Sequence, residues 1–186
     1  DGITDLATFD PSTARWSFRY SMDGSDWGLS FGWSATVPAP ADYDADGVTD
    51  LAVYHPASGN WYIHQSSLGI VDVVPWGWSS AIPVPADYDG DGAADVAVFH
   101  RKTATWYIRY SSGGDRTFAF GWSAVTPVPA DYDGDGKADL AVYHEASGNW
   151  YIESSDTGVT LVKRLGGPGR IPVRLNVLIH NWFNLP

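Results

Sequence analysis

The pattern D-x-D-x-D-G-x-x-D occurs three times in register, at Asp42–Asp50, Asp87–Asp95 and Asp131–Asp139, and this recurrence limits what the chain can fold into. The copies start 45 and 44 residues apart, and Trp16, Trp61, Trp106 and Trp150 follow at spacings of 45, 45 and 44. A period of that length marks a repeat architecture, in which each unit buries its apolar faces against its neighbours. Asp1–Asp5 matches Asp46–Asp50, so the sequence is expected to enter a first copy part-way through its loop.

Carboxylates at positions 1, 3 and 5 of a tight loop face a common centre. The Gly at position 6 permits the sharp turn, and the Asp at position 9 returns from the far side. Such a centre suits a hard cation. Calcium tolerates the large, flexible oxygen shell that four carboxylates, a carbonyl near position 7 and a water would make, whereas magnesium holds its waters and prefers few carboxylates. The loop is not an EF-hand, because it closes at position 9 and runs directly into the strand-like Leu140-Ala141-Val142-Tyr143.

The charge balance fits this reading. There are 22 acidic and 11 basic residues, a net charge of −11, and 12 of the acids lie in the three loops. Three divalent cations would offset about half of that charge, so metal binding is expected to be coupled to folding. The chain lacks the Lys/Arg clusters that nucleic acid requires. It has no cysteine, hence no disulfide or zinc–thiolate site, and no apolar run long enough to span a membrane. No signal peptide is visible; a start at Asp1 suggests a processed product or an excised piece.

Turn residues divide each copy into four short strands. In the second copy these are Val37–Ala41 before the loop, Leu51–His55 after it, Asn60–His64 beyond the Pro56–Gly59 turn, and Ile70–Val74. Pro75–Ser80 then crosses to the next copy. Four strands per repeat and no helical period predict an all-β fold, a β-propeller of four-stranded blades. The chain reads as one domain, 1–186, with repeats at 1–36 plus 171–186, 37–81, 82–125 and 126–170.

Seven of the ten tryptophans follow the same period. Trp16, Trp61, Trp106 and Trp150 occupy one strand position and are expected to pack between blades. Trp33, Trp78 and Trp122 recur in the connections, where packing and sugar stacking are both open readings. His55, His100 and His144 share a strand-end position that Asp10 takes in the first copy. They read as polar strand ends rather than a metal ring, and no catalytic motif is present.

Residues 83–99, Pro-Val-Pro-Ala-Asp-Tyr-Asp-Gly-Asp-Gly-Ala-Ala-Asp-Val-Ala-Val-Phe, resemble the FG-GAP/VCBS repeat of integrin alpha-subunit propellers and of many secreted bacterial proteins. They are also similar to the repeat of Psathyrella-type lectins. The resemblance implies that the loop joins the innermost strand of a blade to the next one out and binds calcium at three sites. It implies as ligands Asp42, Asp44, Asp46 and Asp50; Asp87, Asp89, Asp91 and Asp95; and Asp131, Asp133, Asp135 and Asp139, with the carbonyls of Val48, Ala93 and Lys137. The better-known members have seven blades, so four copies are a departure. Position 4 of the first complete loop is Ala45 where the others have Gly90 and Gly134, and Ile171–Asn176 begins like Thr126–Asp131 but continues without acids.

If Pro172–Ile179 forms an innermost strand, it would complete the first blade, giving four blades closed by strands from both termini. A piece of a larger ring, or two chains sharing one, stays open. The expected function is that of a non-catalytic, extracellular recognition module with carbohydrate as first ligand, bound by Trp33, Trp78 and Trp122. The alternatives are a structural or protein-binding module, with Trp27 or Trp182 and Phe183 as a patch, and an accessory part of a polysaccharide-acting enzyme.

Overall fold

The computed structural model describes residues 5–172, and within them the chain is all strand and turn. Blade 1 holds β1 (Leu6–Asp10), β2 (Arg15–Arg19) and β3 (Asp26–Ser30). Blade 2 holds β4 (Val37–Pro38), β5 (Leu51–His55), β6 (Asn60–His64) and β7 (Val71–Pro75). Blade 3 follows with β8 (Ile82–Pro83), β9 (Val96–His100), β10 (Thr105–Arg109) and β11 (Asp115–Ala119). Blade 4 has β12 (Thr126–Pro127), β13 (Leu140–His144), β14 (Asn149–Glu153) and β15 (Thr160–Arg164). Each blade is an antiparallel sheet in chain order, and the four form a β-propeller.

The expected Leu51–His55 and Asn60–His64 strands are present as read, and the fourth strand is displaced by one residue. The innermost strand is shorter than expected. Val37–Pro38 pairs with Tyr54 and Val53, the Ala39 amide donates to the Ala52 carbonyl at 2.9 Å, and the isolated Ala41–Asp50 bridge follows. Pro38 and Pro40 have no amide hydrogen to give a ladder, so the run cannot continue as regular strand. The strand expected at Pro172–Ile179 to complete blade 1 lies outside the described residues but for Pro172, as do Trp182 and Phe183.

Cohesion comes from apolar side chains between consecutive blades. From blade 2, Ala52, Tyr54, Trp61 and Ile63 pack with Val96, Val98 and Tyr107 of blade 3. From blade 3, Ala97, Phe99, Trp106 and Ile108 pack with Leu140, Val142 and Tyr151 of blade 4. Alternate residues of each strand thus face opposite neighbours, as a two-residue period requires. Trp61 and Trp106 are fully buried. Their indole N–H groups, and those of Trp16 and Trp150, donate to carbonyls of the following connection: Phe31 and Trp76 for Trp16 and Trp61, Phe120 and Leu165 for Trp106 and Trp150. The packing between blades expected for this set of tryptophans is seen for Trp61 and Trp106, whereas the contacts of Trp150 lie within blade 4 and those of Trp16 are with Phe9 and Phe18 of blade 1.

Candidate metal centre

The three Asp loops lie between the innermost strand and the next strand of blades 2, 3 and 4, where the repeat pattern put them. In each, the carboxylates at positions 1, 3 and 9 converge: Asp42, Asp44 and Asp50; Asp87, Asp89 and Asp95; Asp131, Asp133 and Asp139 each offer oxygens within 4.8 Å of one another. These triads have the oxygen-only chemistry of a hard-cation site.

Position 9 is the anchor of the loop. Asp50, Asp95 and Asp139 are completely buried. One oxygen of each accepts the position-2 amide, from Tyr43, Tyr88 or Tyr132, at 2.8 Å. The other accepts the amide of Ser66, Ser111 or Ser155, at 2.6, 2.8 and 2.8 Å, in the turn between the two outer strands. Burial pushes the Asp95 carboxyl up to about 6; the two backbone donors oppose this, and the neighbouring Asp89 and Asp87 charges add to it.

Position 1 holds the turn. Its Oδ2 accepts the position-6 glycine amide, from Gly47, Gly92 or Gly136, at 2.9, 2.9 and 3.0 Å. In two loops its Oδ1 accepts the amide of Gly90 or Gly134, at 2.6 Å. Among the described residues, Asp42 Oδ1 is the buried side-chain oxygen with no such partner. A buried carboxylate oxygen without a donor is costly unless a cation meets it, so the residues present fit a metal ion.

Position 5 behaves differently from the expectation of a converging fourth acid. Asp46, Asp91 and Asp135 are outside the triads. Each accepts the position-7 amide, of Val48, Ala93 or Lys137, at 2.7, 2.9 and 2.8 Å, and a hydroxyl of Ser66, Ser111 or Ser155, at 2.9, 2.7 and 2.6 Å. A second hydroxyl, from Ser67, Ser112 or Ser154, donates to the position-3 acid, Asp44, Asp89 or Asp133. These serines were missed by sequence reasoning because serine in a turn is ordinary. The available signal was their period: Ser66, Ser111 and Ser155 are spaced 45 and 44 residues apart, like the acids.

The connection tryptophans come together with the next blade. Trp33 lies 5.0 Å from the rings of both His55 and Tyr62. Trp78 lies 5.5 and 5.1 Å from His100 and Tyr107, and Trp122 lies 5.2 and 5.0 Å from His144 and Tyr151. The histidines therefore pack individually, each with Nδ1 on a turn hydroxyl of Ser58, Thr103 or Ser147. Beside Trp78 a cleft of about 320 Å³ opens between blades 2 and 3, lined by Ser58, Gly59, Pro75, Trp76, Gly77, Trp78 and Tyr107.

Comparison with known proteins agrees with the geometry. The FG-GAP-like repeat family matches residues 87–142, from the Asp loop of blade 3 through most of β13. No curated protein matches the sequence significantly. Among solved structures, a streptogramin B lyase is similar with a TM-score of 0.57 at 10% identity, covering 90% of this chain and 53% of its own. A virginiamycin B lyase from Staphylococcus aureus gives 0.51 at 9% identity over 86% of this chain and 54% of its own. A catalytically inactive form of the latter, with quinupristin, gives 0.56 at 10% identity over 88% and 53%. The chain thus spans about half the length of these structures, and at such identities the likeness is one of fold alone. The family match spans one repeat, from the Asp loop of blade 3 into blade 4, and together with the four antiparallel blades it supports an FG-GAP-repeat β-propeller.

Proposed function

We propose that the chain is a non-catalytic recognition module, stabilised by calcium and built to bind carbohydrate in the clefts between blades. The cleft beside Trp78 carries this reading. Its lining brings together two indoles, Trp76 and Trp78, which flank Gly77 in the sequence, with Tyr107 and Ser58. Aromatic rings receive the apolar face of a sugar while nearby polar groups meet its hydroxyls. The other two connections have Phe31 and Phe120 in place of Trp76, so the cleft between blades 2 and 3 is the strongest of the three.

Calcium is the cation that the donor set supports. Two or three carboxylates with a carbonyl from Val48, Ala93 or Lys137, and with Asp46, Asp91 or Asp135 turning inward, would make a shell of the kind calcium takes. Loops so rich in acid fill in a calcium-rich medium, which supports an extracellular setting, as the family does. Among the described residues no helix is long and apolar enough to cross a membrane. The lyase activity named for the similar structures belongs to those proteins, and no reaction is assigned to this chain.

The test is a glycan array probed with calcium-loaded protein and with Trp33→Ala, Trp78→Ala and Trp122→Ala. Selective signal that falls most with Trp78→Ala supports the reading. Silence from a folded, calcium-loaded protein turns attention to a protein partner, for which half-exposed Trp27, stacked on Phe18 at 5.7 Å, offers a patch.

A further inference from the structure

Blade 1 differs from the others on one face, and the difference is matched at the far end of the chain. In blades 2, 3 and 4 the face toward the preceding blade presents a Val–Tyr cross-strand pair: Val53–Tyr62, Val98–Tyr107 and Val142–Tyr151. The valines are fully buried. With His55, His100 or His144 at the strand end, the tyrosine receives the tryptophan of the preceding connection, as a socket receives a knob.

The equivalent pair in blade 1 is Thr8–Ser17, and Asp10, opposite Arg15, stands at the histidine position. All are exposed, and Leu6 on the same face is 69% exposed. The face is finished by its own polar groups. Arg19 forms a two-pronged ion pair with Asp26, at 2.7 and 2.9 Å, and the Arg15 guanidinium lies against Gly28. The opposite face of blade 1, with Phe9, Trp16 and Phe18, keeps the aromatic character of the interior.

After blade 4 the knob is gone too. Tyr143 Oη meets the Gly167 carbonyl as Tyr54 Oη meets that of Trp78, so Gly167 is the structural counterpart of Trp78. The socket is thus missing on blade 1 and the knob after blade 4.

We propose that the connection tryptophan and the His–Tyr–Val socket of the next blade form a docking code that orders the blades, and that blade 1 carries its stop: the face of Thr8, Asp10 and Ser17 does not seat blade 4 of a second copy. The chain therefore does not share a ring with another copy of itself. A blade seated there would bury the Arg19–Asp26 pair and the Thr8, Asp10 and Ser17 side chains without the apolar gain made at the other junctions.

Sedimentation velocity of the calcium-loaded chain tests this, alongside a graft carrying Thr8→Val, Asp10→His, Ser17→Tyr and Gly167→Trp. The expected result is a monomer at all concentrations for the native chain and concentration-dependent, head-to-tail association for the graft. Association of the native chain that Ser17→Glu dissolves would overturn the proposal, as would a graft that folds and stays monomeric. Should the graft not fold, an interior cycle decides the matter. Trp78→Ala and Tyr107→Ser are expected to lower the thermal midpoint together scarcely more than the worse of the two alone, because each empties the same junction. Additive losses would refute the code.

Discussion

The Ala94 amide donates to the Asp42 carbonyl at 2.6 Å, tying the Asp loop of blade 3 to that of blade 2. Ala138 and Asp87 repeat the link at 2.6 Å between blades 4 and 3. A cation that orders one loop therefore also fixes a hydrogen-bond partner of the next. Chelation is expected to lower the thermal midpoint as one cooperative transition rather than blade by blade. Three sites at a hundredfold excess over Kd would contribute about 8 kcal/mol, or roughly 15–30 °C for a domain of this size. Calorimetry with chelator, then with added calcium or magnesium, reads the effect. Calcium should restore the midpoint and magnesium should do so poorly, and a midpoint indifferent to chelator would remove the structural role of the metal.

Ala45 is a local strain that one substitution should relieve. It holds φ at 60°, where its counterparts Gly90 and Gly134 sit at 81° and 85°. The left-handed region costs a residue with a Cβ about 1–2 kcal/mol, part of which glycine gives back through its freer unfolded chain. Ala45→Gly also lets the position-4 amide turn toward Asp42 Oδ1, as the other two loops do. Chemical denaturation should show a gain of about 0.5–1 kcal/mol, and a loss of stability would show that the backbone of this loop differs by need rather than by accident.

The blades were legible because their determinants are local and repeat. The turn glycines, the β-branched runs and the 45-residue Trp period each point to the same strand boundaries, and β5 and β6 fall where those signals put them. The innermost strand was over-read because an apolar run can be seen, while the two missing amides of Pro38 and Pro40 count only once pairing is considered. At the site, the acids were legible but their division of labour was not. That Asp50 is an anchor and Asp46 a serine acceptor depends on the turn after β6 folding over the loop, through contacts between residues 16 and 20 apart. The stop on blade 1 was visible only in part, since Asp10 in place of a histidine acquires meaning once the histidine is seen against a tryptophan.

Asp95 makes metal binding and stability respond to pH in opposite directions. Its carboxyl titrates at about 6 in the fold against 3.8 for the ordinary group. Between these values the folded, metal-free chain keeps a proton that the unfolded chain has released. The stability of the chelated protein from this group is therefore greatest below the window and is lost as pH rises through it. A cation needs the ionised form, so the extra stability from calcium should shrink as pH falls below about 6. Midpoints measured against pH, with chelator and with calcium, should converge toward acid. A chelated protein that instead gains stability from this group across the window would contradict the assignment, and Asp95→Asn should flatten its share of the slope.

Asp139 tests whether position 9 acts through the metal alone or also as a fastener of the fold. It is fully buried and takes the Tyr132 and Ser155 amides at 2.8 Å each, joining the loop of blade 4 to the turn between its outer strands. Asp139→Ala leaves two amides without an acceptor, at a cost of about 3–5 kcal/mol even before any cation is considered. Asp139→Asn keeps the shape and one good acceptor, so it should cost less in chelator while still weakening calcium binding at that loop. The deciding comparison is made in chelator. If the alanine variant and the native chain then unfold at the same denaturant concentration, position 9 serves the metal only. If the variant remains weaker by several kcal/mol, the carboxylate holds the blade together by itself and the cation adds to a loop already fastened.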